Sequence, residues 1–185
     1  MKIAVYSGSF NPLHIGHLAI MKHMTEEAGF DCVYLIVSPK NPLKDSVSSD
    51  SGMDRFNAAV KAVERYPGLK VKVDDIELRM PEPHYSIRTL DALRERETEN
   101  SFTLIMGADN LADIRRWKDY RRILSEYGTA VFPRTGFDLK AIKEDLLTED
   151  ASYRIKILDA EMVDISSTQI REAQALEKDV SDWLM

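Results

Sequence analysis

The residue types that could do chemistry are concentrated in two short runs near opposite ends of the chain. The first is Gly8-Ser9-Phe10-Asn11-Pro12-Leu13-His14-Ile15-Gly16-His17, which follows an apolar stretch and precedes the helical spacing of Leu18, Met21, Met24 and Ala28. It reads as a strand, a tight loop and a helix start. Gly8 permits close backbone approach, Pro12 suits the first helical turn, and the exposed amides of that turn make a natural phosphate site. His14 and His17 stand three residues apart, which puts them on one helical face. Imidazoles there can donate hydrogen bonds to phosphate oxygens, and the donation strengthens as charge develops on those oxygens in a transition state. The pair could also be metal ligands, although no third-ligand pattern accompanies it, or simply a satisfied pair on a helix. The run lacks the G-x-G-x-x-G dinucleotide pattern and the chain has no Walker A sequence, so nicotinamide-dependent redox chemistry and P-loop hydrolysis both lose support.

The second run is Asp164-Ile165-Ser166-Ser167-Thr168-Gln169-Ile170-Arg171. One hydroxyl would be an ordinary helix cap, but three in succession exceed what a cap needs. With fresh helix amides and the guanidinium of Arg171 one turn on, they form a second anion cradle. Two cradles on one sheet edge suit a triphosphate.

Short apolar runs alternating with helical stretches position these segments. The pattern is that of a wound α/β domain, a doubly wound Rossmann-like parallel sheet with helices on both faces. Strands are expected at residues 3–6, 33–37, 71–73, 102–106, 129–132 and 155–158, most too apolar to leave one face in water. Met53, Phe56, Val60 and Val63 follow a helical spacing, as do Ile87, Leu90 and Leu93, with Ser86 as a cap for the latter helix. Residues 137–150 and 166–184 also read as helices. Prolines punctuate loops at 38–52 and 79–85, at the edge where open α/β sheets place ligands. No repeat or composition break divides the chain, so residues 1–185 form a single domain.

The chain carries 25 Lys and Arg against 31 Asp and Glu, a net charge of −6, with 44% hydrophobic residues. That balance suits a soluble folded protein and opposes general affinity for nucleic acid or anionic membranes. The single cysteine, Cys32, reads as a small core residue, excludes an intrachain disulfide and fits a reducing cytoplasm. No segment has the length of a signal peptide's apolar region at the N-terminus or of a spanning helix elsewhere, so no export or membrane insertion is expected.

Taken together, residues 8–17 and 165–171 resemble the paired signatures of the nucleotidyltransferase superfamily that contains the small adenylyltransferases. Class I aminoacyl-tRNA synthetases share the first signature, but this chain is too short for one and lacks their Lys-Met-Ser-Lys-Ser sequence. Further segments resemble the bacterial nicotinate-mononucleotide adenylyltransferase family: Asn41-Pro42-Leu43-Lys44, Tyr85-Ser86-Ile87-Arg88-Thr89-Leu90, Gly107-Ala108-Asp109-Asn110-Leu111 with Trp117 following, and Arg134-Thr135-Gly136. The chain departs from that family's usual pattern at His84 and Ser86, where Ser and Thr are commoner, and at Thr135, where proline is usual. Its C-terminal tail is also shorter than in many members.

The resemblance implies direct attack of the 5′-phosphate of nicotinate mononucleotide on the α-phosphorus of ATP, with no protein nucleophile. It implies catalytic roles for His14, His17, Lys44 and Arg171. Gly8, Ser9, Phe10, Gly107, Asp109, Ser166, Ser167 and Thr168 would join His14, His17 and Arg171 in binding ATP. Asn11, Lys44, Tyr85, Ser86, Thr89, Trp117 and Arg134 would bind the mononucleotide, the Trp117 ring stacking on the pyridine. Mg²⁺ would bridge phosphate oxygens with few protein ligands, so no dedicated metal site is expected. Simpler roles stand beside these: Lys44 as a solvated loop lysine, Asp109 as a helix cap, Trp117 as a packing residue, and Asp74-Asp75 as solvated strand carboxylates on opposite faces. Arg115-Arg116 and Arg121-Arg122 read as a solvated helix face. Rival functions are adenylyl transfer to nicotinamide mononucleotide or phosphopantetheine, and a nucleotide-binding regulatory module without turnover. A homo-oligomer is left open.

Overall fold

A computed structural model describes residues 1–39, 51–161 and 165–185. Six strands form one parallel sheet: β1 (Lys2–Gly8), β2 (Cys32–Val37), β3 (Val71–Asp74), β4 (Ser101–Gly107), β5 (Thr129–Phe132) and β6 (Ile155–Ile157). Their spatial order is β3-β2-β1-β4-β5-β6, so the chain winds outward from β1 in one direction and from β4 in the other. Such a reversal opens a crevice beyond the carboxyl ends of the two central strands, which is where ligands bind in sheets of this kind.

Strand alternation divides the core between two faces. Ile3 and Val5 of β1, with Tyr34 and Ile36 of β2, join one cluster; Ala4, Tyr6, Val33, Leu35 and Val37 join the other. The first face is covered by α4 (Ser86–Arg96), α5 (Ala108–Ala112) and α7 (Leu139–Glu149) through residues such as Ile87, Leu90, Leu111 and Leu146. The second is covered by α1 (Ile15–Glu26) and α2 (Gly52–Glu64) through Leu18, Met21, Met24, Ala59 and Ala62. The short α3 (Ile76–Arg79) follows β3. A 3₁₀ turn (Ile114–Arg116), the short α6 (Tyr120–Arg122) and a π-helical turn (Ile123–Tyr127) link α5 to β5. Beyond β6 come α8 (Ser167–Ala175) and a 3₁₀ turn (Ser181–Trp183).

The six expected strands are all present, with shifted ends. Residues 166–184 are not one helix: α8 stops at Ala175, and Val180 folds back on Ile170 and Ala173. In α2 Arg55, Ala59 and Ala62 are buried and the expected Phe56 and Val63 pack half-buried on the same core, while Met53, at the first turn, is exposed. Ser86 is the first residue of α4 rather than its cap, a position taken by Tyr85 without a side-chain bond. Cys32 is half-buried at the start of β2 and its thiol is pushed up by burial.

Asp74 overturns the expectation of a solvated carboxylate. It is buried at the end of β3, and Arg96 of α4 donates to it twice, at 3.1 and 2.6 Å. The amide of Ile76 donates to the same carboxylate at 3.0 Å. Burial raises its pKa, but the hydrogen bonds and charge of Arg96 outweigh that and hold the carboxyl below its ordinary range. Asp74→Asn should destabilise the protein by about 3 kcal/mol at pH 7, the low end for a broken buried pair because Arg96 is partly in water. Since the folded pKa is depressed, the contribution is present above about pH 4 and fades as pH falls through the folded value. Urea unfolding at neutral and acid pH checks both points: the gap between Asp74→Asn and the unaltered protein should narrow in acid.

Candidate active site

The loop between β1 and α1 is shaped by the need to satisfy the first amides of the helix. Helix α1 begins at Ile15, three residues later than Pro12 suggests, and His14 is its N-cap. The Nδ1 of His14 accepts from the amide of Gly16 at 3.1 Å, and the Nδ1 of His17 accepts from the amide of His14 at 3.2 Å. The histidines therefore form a reciprocal capping box and their rings stack at 3.7 Å. An imidazole nitrogen that accepts from an amide carries no proton, so in each neutral ring the proton resides on Nε2. Capping thus fixes both tautomers and leaves one N–H donor per ring.

The same folding explains the neighbours. A Cβ on Gly16 would stand 2.9 Å from Cε1 of His14, so glycine is what allows the ring to lie back over the helix start. Phe10 takes a left-handed backbone (φ 46°), buries its ring against Tyr6 and sets its edge against His17 at 5.1 Å between centroids. Both histidines are held neutral at physiological pH. Burial, then the positive charge of Arg134, lowers His14 to about 4; burial, the His14 ring and Arg134 lower His17 to about 3.

A cavity of about 230 Å³ brings the two runs together, lined by Tyr6, His14, His17, Arg134, Ser166 and Ser167 among others. The oxygen of Ser166 accepts from Gln169 N and caps α8, while Ser167 donates its hydroxyl to the carbonyl of Pro12 at 2.9 Å. Arg171 donates to the carbonyl of Asn11 and to the hydroxyl of Thr168, so the second run grips the backbone of the first. Sequence reasoning missed Ile20, Pro133 and Ala160 on the wall of this cavity, whose residue types carry no chemical signature, and also Glu161; Ile165 of the second run lines it too.

The remaining expected site residues are dispersed. Asp109 lies in the first turn of α5, whose N-cap is Gly107, and its Oδ1 is 3.9 Å from Nε of Arg134. Gly8 ends β1, and the carbonyl of Ser9 accepts from Arg55 at 2.8 Å. Arg134, expected with the mononucleotide, sits on the cavity of the two histidines. Tyr85, Ser86 and Trp117 line separate space, a cavity of about 300 Å³ shared with His84, Arg116 and Lys118. Trp117 is half-buried and packs on the core, so it combines packing with an accessible ring edge. Thr89, expected with the mononucleotide, is buried and its hydroxyl donates to Glu77 at 2.8 Å. Asn11 lines neither of these cavities but a third, against α2. Lys44, with Asn41, Pro42 and Leu43, lies outside the described residues, as does Asp164.

A winding sheet that brings the two histidines and the Ser166-Ser167 helix start to one cavity is of nucleotidyltransferase type, and the family model described as cytidylyltransferase-like matches residues 5–173. A relative from Flavobacterium psychrophilum, described as "Probable nicotinate-nucleotide adenylyltransferase", is 39% identical over 184 residues, covering 100% of this chain and 92% of the relative. One from Bacteroides fragilis with the same description is 38% identical, covering 99% of this chain and 87% of the relative. The chain belongs to the nicotinate-nucleotide adenylyltransferase family. The fold agrees with that of a Plasmodium falciparum nicotinic acid mononucleotide adenylyltransferase complexed with NaAD, at a TM-score of 0.77 and 19% identity, over 99% of this chain and 90% of that one.

The two tautomers can be checked without a ligand. Long-range ¹⁵N–¹H spectra at pH 7 should show His14 and His17 neutral and protonated at Nε2, and both should stay neutral at pH 5.5. Because these folded pKa values lie below the unfolded value of about 6.5, the stability they contribute is complete above that pH and is lost as pH falls toward the folded values. A charged ring at pH 6 would overturn the assignment.

Proposed function

We infer that this protein transfers the adenylyl group of ATP to nicotinate mononucleotide. An oxygen of the mononucleotide 5′-phosphate attacks the α-phosphorus of ATP, the bond to the β-phosphate breaks, and deamido-NAD and pyrophosphate result. The attacking oxygen is already anionic at neutral pH, so the protein need only align the reactants and neutralise charge. The observation that carries the reading is the convergence of two fixed Nε2–H donors, Arg134 and the Ser166-Ser167 helix start on one cavity. His17 and His14 would hold the ATP phosphates, Thr168 and Arg171 would turn from their present partners toward the β- and γ-phosphates, and Lys44 would add a charge. Mg²⁺ would enter bound to ATP, as part of that substrate.

The second cavity supports an acidic ring substituent. Of the cations between residues 115 and 122, Arg115, Arg121 and Arg122 are each ion-paired with Asp or Glu. Arg116 and Lys118, which line the Trp117 cavity, have no carboxylate partner among the described residues. Their uncompensated charge favours nicotinate over nicotinamide. Membership in an adenylyltransferase family and the intact donors favour turnover over a purely regulatory binder. A cytoplasmic location belongs to the same proposal.

The deciding experiment is pyrophosphate release from ATP with nicotinate mononucleotide, nicotinamide mononucleotide or phosphopantetheine. The nicotinate compound should be strongly preferred, and a preference for phosphopantetheine would overturn the substrate while leaving the chemistry. His17→Asn keeps a side-chain acceptor for the cap but removes the Nε2 donor, and should lower kcat about 10²- to 10³-fold, as loss of a charge-stabilising donor does. Near-normal turnover at saturating ATP would sink the role of His17. Trp117→Ala should raise the mononucleotide KM far more than the ATP KM; equal losses would mark the ring as packing only.

A further inference from the structure

Beyond α8 the chain returns to the first phosphate loop. Val180 packs with Ile170 and Ala173, with Leu184 at the margin of that cluster. Leu184 forms an antiparallel β-bridge with His14. Met185 is buried in the core cluster that contains Phe10, Leu13, Ala59 and Ala62, and together with Leu184 it lines a cavity against α2. Arg65, just past α2, donates to the carbonyl of Met185 at 2.8 Å. One short segment therefore joins the helix that carries Ser167 and Arg171, the loop that carries His14, and α2.

We propose that residues 180–185 are a strap that positions the phosphate site, acting on His14 through its pairing with Leu184 and anchored by Met185 and Arg65. The loop it braces contains Phe10 in a left-handed conformation, which persists only where the surroundings over-determine it. Ser167 and Arg171 hold that loop through the carbonyls of Pro12 and Asn11, and the strap holds it again at His14. No strap residue lines the cavity between the histidines and Ser166, so the segment acts through His14 and does not touch a ligand there. Its orientation fixes the ring whose Nδ1 is committed to Gly16, and with it the direction of the Nε2 donor. Small displacements of such a donor are costly because alignment is the protein's main contribution to phosphoryl-group chemistry. The inference rests on reading the His14–His17 loop as a phosphate cradle.

The test uses Arg65→Ala and Met185→Ala, with Arg65→Lys and Met185→Leu as conservative partners, assayed well below Tm. Both alanine variants should lose at least about tenfold in kcat, the order expected from misplacing a reacting group by a fraction of an ångström, with the mononucleotide KM little changed. The ¹⁵N signals of the His14 ring should shift in the same variants, and the conservative partners should restore both readouts. Alanine variants with lowered Tm but unchanged kcat and unchanged His14 signals would overturn the proposal and leave the strap as stabilising structure. If Met185→Ala does not fold, Arg65→Ala carries the same decision, because Arg65 is exposed. If the unaltered protein forms no dinucleotide, the reaction reading fails, and the His14 spectra still decide whether the strap positions the ring.

Discussion

The arrangement depends on how the first turn of α1 disposes of its amides. A helix start ordinarily uses a serine or aspartate oxygen for that purpose. Here two imidazoles do it, each spending Nδ1 on a backbone amide. Because a ring nitrogen cannot accept from an amide while bearing a proton, local helix energetics dictate which nitrogen of each ring donates outward. Burial keeps the rings uncharged, so they present oriented neutral dipoles to the cavity they line.

That device demands precise backbone placement, and the surrounding structure supplies it from several directions. Gly16 leaves room for the ring above it, and Phe10 wedges between Tyr6 and His17 at the cost of a left-handed residue. The contacts of Ser167 and Arg171 with the carbonyls of Pro12 and Asn11 make the two cradles one mechanical unit even without a ligand. In the proposed reaction Arg171 would exchange its carbonyl partner for a phosphate of ATP. Such an exchange swaps one hydrogen bond for a stronger, charge-assisted one, so occupancy should be favoured without a large rearrangement.

Much of this was legible in the sequence because it rests on local rules. Parallel strands buried on both faces read as apolar runs, and the strand-loop-helix around His14 follows from residue type and spacing. What was not legible depended on partners far along the chain. Asp74 looks solvated until Arg96, 22 residues on, is folded against it. The sequence likewise does not show that the hydroxyl of Thr89 is held by Glu77, 12 residues back. Nor does spacing reveal that His14 lies at the cap and not inside the helix, since an i,i+3 relation is common to both. Met53 and Ser86 fail for a smaller reason: periodicity identifies an element but leaves its rotation and ends to tertiary packing.

The placement of charge reconciles an acidic chain with anionic substrates. Several arginines are committed to carboxylates: Arg94 and Arg122 to Asp91 and Glu126, Arg96 to Asp74, and Arg115 and Arg121 to Glu149. Among the described residues, the one carboxylate paired with Arg134 beside the histidines is Asp109, at long range, and neither Arg116, Lys118 nor Arg171 has a carboxylate partner. A net charge of −6 can therefore coexist with uncompensated cations at the cavities, where Arg134 and Glu161 share the wall beside the histidines, because electrostatic potential at a site follows the nearest groups and not the sum over the surface. Screening strengthens the point, since at physiological salt the field of distant carboxylates decays over about 8 Å while the groups lining a partly enclosed cavity remain effective.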